Sequence, residues 1–384
     1  MNDNNKRLKI AYVTAKDPND KNAWSGTIYR IAQALQKHCG DIYNIGPIKT
    51  RLEHIPILTN HLTTHLMGKN YDVTHSNLVS KAYAKEIDKK LKEQEFDIIF
   101  APAAFNEIAN LEVDVPVVLL SDATFSLFLN YKEYCSNLLD RSIKESNDIE
   151  KSALAKADLL IYSSKWAADS AIKDYGADES KVFVVPFGAN LDRVPDKDVV
   201  LQKRKSGICK LLFLAARWEF KGGEIAFDTL VELEKFGIDA ELTVCGAVPP
   251  EEFKHKNMKV IPFLDKNNID QCIELEKLLL ESDFLILPTR EEAFGIVFCE
   301  ASAFGLPSIT TDTGGISGAV TNGKNGFMLP LDANGQDYAN LIQDIYLNDE
   351  CYYDLVKSSR ELFENELNWD QWGKTVYKLV KDVL

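Results

Sequence analysis

Residues 284–300 read FLILPTREEAFGIVFCE. The opening run, Phe284–Leu287, is apolar and short enough for a buried strand. Pro288 and Thr289 end it, and Arg290, Glu291 and Glu292 follow directly. A helix is expected to start near Phe294 and to carry Glu300 on its second turn. In an open α/β sheet, ligands bind at that end of a strand. Two carboxylates, Glu292 and Glu300, therefore flank a strand-to-helix turn where a site belongs. The competing reading is a solvated loop and a surface helix, because most charged side chains are solvated. The rest of the chain decides between the two.

The same alternation extends outward in both directions. Apolar runs at 210–216, 242–246, 258–263, 307–311 and Gly326–Leu329 read as strands, with helices at 223–236 and Ile269–Glu281 between them. Further back, strands are expected at 8–14, 97–102, 115–121, 158–163 and 182–186. A helix over 26–38 places Ile28, Ile31, Ala32 and Leu35 on one face. Alternating β and α elements argue for mostly parallel sheets covered on both faces. The charged stretch 194–206, VPDKDVVLQKRKS, contains Pro195 and suits a linker. The expected architecture is α/β, with two Rossmann-like doubly wound parallel-sheet domains, 1–195 and 196–365, facing each other across a cleft. Residues 366–384 form a terminal amphipathic helix that can cross back to the first domain. Its Trp369, Trp372, Val376, Leu379 and Val380 fall at helical spacing.

Composition narrows the function classes. The 384 residues carry a formal net charge of −14, so nothing attracts the whole chain to nucleic acid. No apolar run approaches the length that spans a bilayer. The start, MNDNNKRLKIAYV, lacks the layout of a signal peptide. Seven scattered cysteines never fall at Cys-x-x-Cys spacing, which fits buried, reduced thiols. A cytoplasmic location is the expectation.

Residues 211–223, LLFLAARWEFKGG, carry the chemistry of the second half. A strand ends just before Arg217, Lys221 follows four residues on, and Gly222 and Gly223 open a helix. Two cations beside a helix N-terminus make an anion site. Arginine grips phosphate oxygens bidentately and lysine adds a point charge. Surface salt bridges are the alternative. Combined with carboxylates that can bind hydroxyls, the set suits a nucleotide diphosphate joined to a sugar. The loop KDPNDKNAWSGT, 16–27, supplies Gly26 before another helix N-terminus. It contains neither Gly-x-Gly-x-x-Gly nor the P-loop pattern, which weighs against a nicotinamide enzyme and a P-loop nucleotidase.

With these residues the chain resembles the retaining glycosyltransferases of family GT4, which have the GT-B fold. The resemblance covers nearly the whole chain and is strongest over 210–329. It implies that Arg217 and Lys221 hold the donor's diphosphate. Glu292 and Glu300 stand at the ends of the family's Glu-x7-Glu motif, and imply contacts to the donor-sugar hydroxyls and the nucleotide ribose respectively. Phe294 and Gly295 would offer backbone N–H groups, and Gly26 matches the first-domain glycine beside the diphosphate. Thr313-Gly314-Gly315 and the stretch 322–326 match later parts of the pattern. Glu291 receives no role. Many members place a histidine where this chain has Asp122, at the end of VPVVLLSDAT (115–124). Asp122 is read as positioning the acceptor or acting as a weak base, and a helix N-cap role is compatible with either.

The resemblance implies transfer of a hexose-type sugar from a UDP- or GDP-linked donor to a hydroxyl of a glycan, lipid-linked or protein acceptor. It implies retention of configuration, as in polysaccharide biosynthesis, and neither cofactor nor metal. Asp122, Arg217, Lys221 and Glu292 form the expected catalytic set. A nucleotide-sugar 2-epimerase of the same fold and a non-catalytic nucleotide-sugar-binding subunit are the alternatives. Base recognition is expected near 260–263 and the turn after Gly246.

Three other constellations carry weaker signals. His54, His61, His65 and His75 cluster in sequence, and His61 and His65 have i, i+4 spacing. Their HLTTH lacks a zinc-hydrolase glutamate, so a surface or acceptor-side role is expected. Asp196 and Asp198 form a chance Asp-x-Asp in the linker. The lysine-rich helix over 80–94 leaves room for weak peripheral membrane contact, although its acidic residues favour an ordinary solvated face.

Overall fold

The computed structural model describes residues 7–384. The chain divides into two compact units, one of 1–185 with 372–384 and the other of 186–371. Each is built on a six-stranded, fully parallel sheet.

In the first unit the strands are β1 (Leu8–Tyr12), β2 (Gly40–Asn44), β3 (Ile98–Pro102), β4 (Val117–Ser121), β5 (Leu159–Tyr162) and β6 (Val182–Val184). Their order is β2-β1-β3-β4-β5-β6. Strands β3, β4 and β5 are buried along their whole length, which is why each reads as an unbroken apolar run. Strand β2 is the one the sequence did not reveal. As an edge strand it is only half-buried and has no apolar run. Its Gly40 lies so close to β1 that a Cβ there would sit 2.1 Å from the Leu8 carbonyl oxygen.

The second unit contains β7 (Cys209–Ala215), β8 (Ala240–Gly246), β9 (Met258–Ile261), β10 (Phe284–Leu287), β11 (Ser308–Thr311) and β12 (Gly326–Leu329). The order is β12-β11-β10-β7-β8-β9. Chain direction across the sheet reverses between β1 and β3 in the first unit, and between β7 and β10 in the second. The loops leaving the carboxyl ends of strands at such a switch point form a ligand crevice.

Contacts move the division from the charged stretch at 194–206 back to Val185 and Pro186. Phe187 is the physical reason. It is buried against Phe294 (centroids 5.1 Å apart) and Trp369 (5.8 Å) in the second unit. Nor is the charged stretch an open linker. Lys197–Leu201 is a short helix with Val200 buried, and Arg360 donates to the Pro195 carbonyl at 2.8 Å. The terminal helix, Trp369–Lys381, is shared between the units. Trp369 donates to Asn190 Oδ1 at 3.0 Å in the second unit. Trp372 belongs to the first, buried edge-on to Phe100 of β3 with centroids 6.2 Å apart.

Candidate functional site

In the second unit the site is built on the exits of β7 and β10, the two strands at the switch point. The β7 exit delivers Arg217, Trp218, Phe220 and Lys221. The β10 exit delivers Thr289 to Glu292. Three hydrogen bonds bind the two turns together. The Arg290 N–H donates to the Phe220 carbonyl at 2.9 Å and the Thr289 hydroxyl to the same carbonyl at 3.3 Å, with Thr289 also 3.0 Å from the Glu291 carbonyl within its own turn. Lys221 Nζ reaches across to the same Glu291 carbonyl at 3.0 Å.

Two glycines make this closeness possible. Gly222 has φ 72°, and a Cβ there would stand 2.0 Å from the Pro288 carbonyl oxygen. A Cβ on Gly223 would stand 2.1 Å from the Trp218 ring. Gly222 also caps the helix Gly223–Lys235, so the unpaired N–H groups of that helix begin beside Lys221.

The charges converge as their spacing suggested. Lys221 Nζ pairs with Glu292 Oε2 at 2.7 Å. Arg217 stacks on the Phe220 ring, 3.6 Å from its centroid, and its guanidinium faces Glu291 Oε1 at 3.8 Å. Glu291, which received no role from the sequence, is the more deeply buried glutamate and orients Arg217. Arg217 itself is nearly half-exposed, and so presents its charge outward. The helix expected from Phe294 begins two residues later, as Ile296–Ala303 with Gly295 capping it at φ 86°. Phe294 lies outside the helix, and its ring is buried against Phe187. Glu300 sits on the second turn as expected and is buried. Its carboxylate pairs with Lys266 Nζ, a residue that sequence reasoning missed. Lys266 follows β9, and only the strand order brings it to Glu300. Asn325 donates to Ser302 Oγ and the Ala319 carbonyl and accepts from the Thr321 N–H. The 322–326 stretch therefore holds its own loop together.

In the first unit Trp24, Ser25 and Gly26 occupy left-handed conformations in succession, with φ 49°, 56° and 91°. Gly26 caps the helix Thr27–His38. The Trp24 indole N–H donates to Asp122 Oδ2 at 3.1 Å, which joins two of the expected site elements. Asp122 is not a helix N-cap. Thr124 holds that position for the turn Phe125–Phe128.

Beside the β1 exit lies Glu107, buried and unforeseen, which accepts from the Ala15 N–H at 3.1 Å. Burial pushes its carboxyl up to about 7. Of the four clustered histidines, His61 and His65 are exposed on the helix His54–Met67. Among the described residues no group of three or more His, Cys, Asp or Glu side chains is arranged to hold a metal ion. His75 is drawn inward, with Nδ1 2.7 Å from Asp72 Oδ2 and Nε2 3.8 Å from Glu150 Oε2. Burial alone would raise Asp72, but the hydrogen bonds from His75 and Thr74 outweigh it and hold the carboxyl well below the usual range. Burial alone would lower His75, and Asp72 reverses that. Burial pushes Glu150 up to about 8.

An acid whose folded pKa is raised keeps its proton in the native state after the unfolded chain has lost it, so stability falls as pH rises between the two values. His75 acts in the same direction. Glu150→Gln should therefore flatten the loss of melting temperature between pH 6 and pH 8.5. The expected gain at the upper end is on the order of 2 kcal/mol, since one pKa unit corresponds to about 1.4 kcal/mol. An unchanged slope in thermal unfolding would mean that the carboxyl is already ionised.

The fold and this placement of charges define a class. Residues 209–362 match the family model for glycosyl transferases group 1, and residues 27–193 match that for glycosyltransferase family 4. The chain belongs to the GT4-type glycosyltransferases and has the GT-B fold. Among sequence relatives is a glycogen synthase of Mycobacterium tuberculosis, 25% identical over 263 residues, which are 67% of this chain and 60% of that protein. The chain thus spans about three-fifths of that relative's length. Two solved structures share the fold across nearly the whole chain. Sucrose-phosphate synthase from Thermosynechococcus elongatus aligns with TM-score 0.69 at 16% identity, covering 98% of this chain and 99% of the other. Anabaena HepE in complex with UDP aligns with TM-score 0.64 at 14% identity, covering 98% and 100%.

Proposed function

We propose that this chain transfers a hexose-type sugar from a nucleotide-diphosphate sugar to an acceptor hydroxyl. The observation that carries the reading is the convergence of Arg217, Lys221 and Glu292 on the β7 and β10 exits, at the switch point of the second sheet. The diphosphate takes the two cations and the N-terminus of the Gly223–Lys235 helix. Its departure leaves negative charge on the β-phosphate, and fixed cations stabilise such developing charge without reorganising. Charge compensation of this kind requires no metal. Glu292, positioned by Lys221, accepts from sugar hydroxyls, and Glu300, positioned by Lys266, accepts from the ribose. The base lies along the exits of β8 and β9, where Val248 and Phe263 expose apolar surface.

In the first unit Asp122, oriented by the Trp24 indole, accepts the hydrogen bond of the incoming hydroxyl. The Gly26 turn leaves room for the ligand's close approach. None of these carboxylates is needed as a nucleophile. Attack on the face from which the diphosphate leaves retains configuration, with the departing oxygen able to take the hydroxyl proton.

A panel of UDP-, GDP-, ADP- and dTDP-sugars tests the reading by thermal unfolding. UDP comes first, because it is the ligand named for the Anabaena neighbour. A ligand at a hundred times its dissociation constant stabilises the native state by about 2.7 kcal/mol. One member of the panel should therefore raise the melting temperature by several degrees. A protein that none of them stabilises would overturn the assignment.

A further inference from the structure

The helix His54–Met67 differs from the amphipathic helices that pack on the two sheets. Only Pro56 of its residues is buried. Ile55, Leu58, Leu62 and Leu66 recur at i, i+3, i+7 and i+11, a single stripe of the helix surface. They are 45%, 58%, 47% and 75% exposed. Contiguous apolar surface of this kind marks an interaction site. By contrast, the lysine-rich helix Asn77–Leu91 packs Val79, Tyr83, Ala84 and Ile87 into the core. Its exposed lysines form the solvated face that its acidic residues favoured, and Leu78 is its one exposed large apolar side chain.

Charge identifies what meets the stripe. The helix itself contains no Asp or Glu. Lys49 and Arg51 precede it and Lys69 follows it. Glu53, which directly precedes it, is engaged in capping, accepting from the Thr50 N–H at 2.6 Å. A locally cationic, apolar segment thus stands on a chain of net charge −14. An interfacial helix has this pattern: apolar side chains enter the acyl boundary while flanking cations meet anionic headgroups. No described helix is long and apolar enough to cross a membrane, so the helix lies on the surface. We propose that His54–Met67 docks the first unit on a bilayer surface carrying anionic lipid, through the Ile55, Leu58, Leu62 and Leu66 stripe. The proposal does not depend on the sugar-transfer reading.

The test is co-sedimentation of the full chain with vesicles of phosphatidylcholine alone, or of phosphatidylcholine mixed with phosphatidylglycerol. The chain should pellet with the anionic vesicles and release as salt is raised. Leu58→Gln, Leu62→Gln and Leu66→Gln together should reduce pelleting by about tenfold or more, as loss of the inserting face requires. The melting temperature should hold, because all three side chains are exposed. Lys49→Glu, Arg51→Glu and Lys69→Glu together should abolish the preference for anionic vesicles. Equal pelleting by the wild type and the leucine variant would overturn the proposal, as would no pelleting of the wild type. Self-association of the wild type without vesicle binding, lost in the leucine variant, would also overturn it by assigning the face to a second copy of the chain.

Discussion

Lys221→Ala lowers kcat/KM for sugar transfer about a hundredfold or more, the cost typical of removing one fixed donor to a developing charge, and leaves the melting temperature within a few degrees of wild type. The two halves of this expectation have different origins. Lys221 is anchored by Glu292 and the Glu291 carbonyl, so its charge is held in place before a donor arrives. A pre-held charge costs no reorganisation at the moment of bond breaking, which is why its loss appears in the rate. Stability is little affected because Glu292 is partly exposed and can be solvated once its partner is gone. Arg217→Ala should behave alike, with a larger rise in KM because the guanidinium is the more exposed cation. Steady-state kinetics beside thermal unfolding checks both. Near-normal turnover in both variants would remove the diphosphate role from this pair.

Gly222→Ala is expected to cost several kcal/mol of stability and to abolish donor binding. Gly237 provides the control. Both glycines lie in the left-handed region, with φ 72° and 79°. A Cβ on Gly237 would meet nothing within 4 Å, whereas one on Gly222 would stand 2.0 Å from the Pro288 carbonyl oxygen. Gly237→Ala therefore costs only the left-handed backbone, about 1–2 kcal/mol. Gly222→Ala adds a clash with main chain, which can be relieved only by separating the two turns that carry Lys221 and Glu292. Thermal melts of the two variants, with and without donor, separate the terms. Equal destabilisation would show that the turns tolerate separation and that the close approach is dispensable.

Much of this arrangement was legible in the sequence where chemistry is local. Arg217, Lys221 and the two glycines lie within one strand exit, and Glu292 follows directly on another, so periodicity alone placed each at a carboxyl end. Buried strands such as β4 and β5 are legible for the same reason, being apolar throughout. Illegible features depend on which strands become neighbours. Lys266 reaches Glu300 because the β9 exit and the start of the Ile296–Ala303 helix lie at the same carboxyl edge of a parallel sheet. Glu107 reaches Ala15 because β3 lies beside β1. Strand β2 has too little buried surface to leave an apolar signature. The Glu-x7-Glu spacing singles out Glu292 over Glu291, but the part Glu291 plays in orienting Arg217 shows only in its burial and its 3.8 Å approach to the guanidinium.

The sharing of the Trp369–Lys381 helix bears on the order in which the protein is made. The first unit begins with the earliest described residues, yet its core is completed by Trp372, Val376 and Val380. Vectorial synthesis would deliver β1 to β6 to the solvent long before those side chains emerge, leaving Phe100 and the Thr27–His38 helix without their partner. The second unit, contributed by one uninterrupted stretch, has all its strands available earlier than the first unit has its last helix. The half of the protein translated first therefore cannot complete its core until the last helix has emerged.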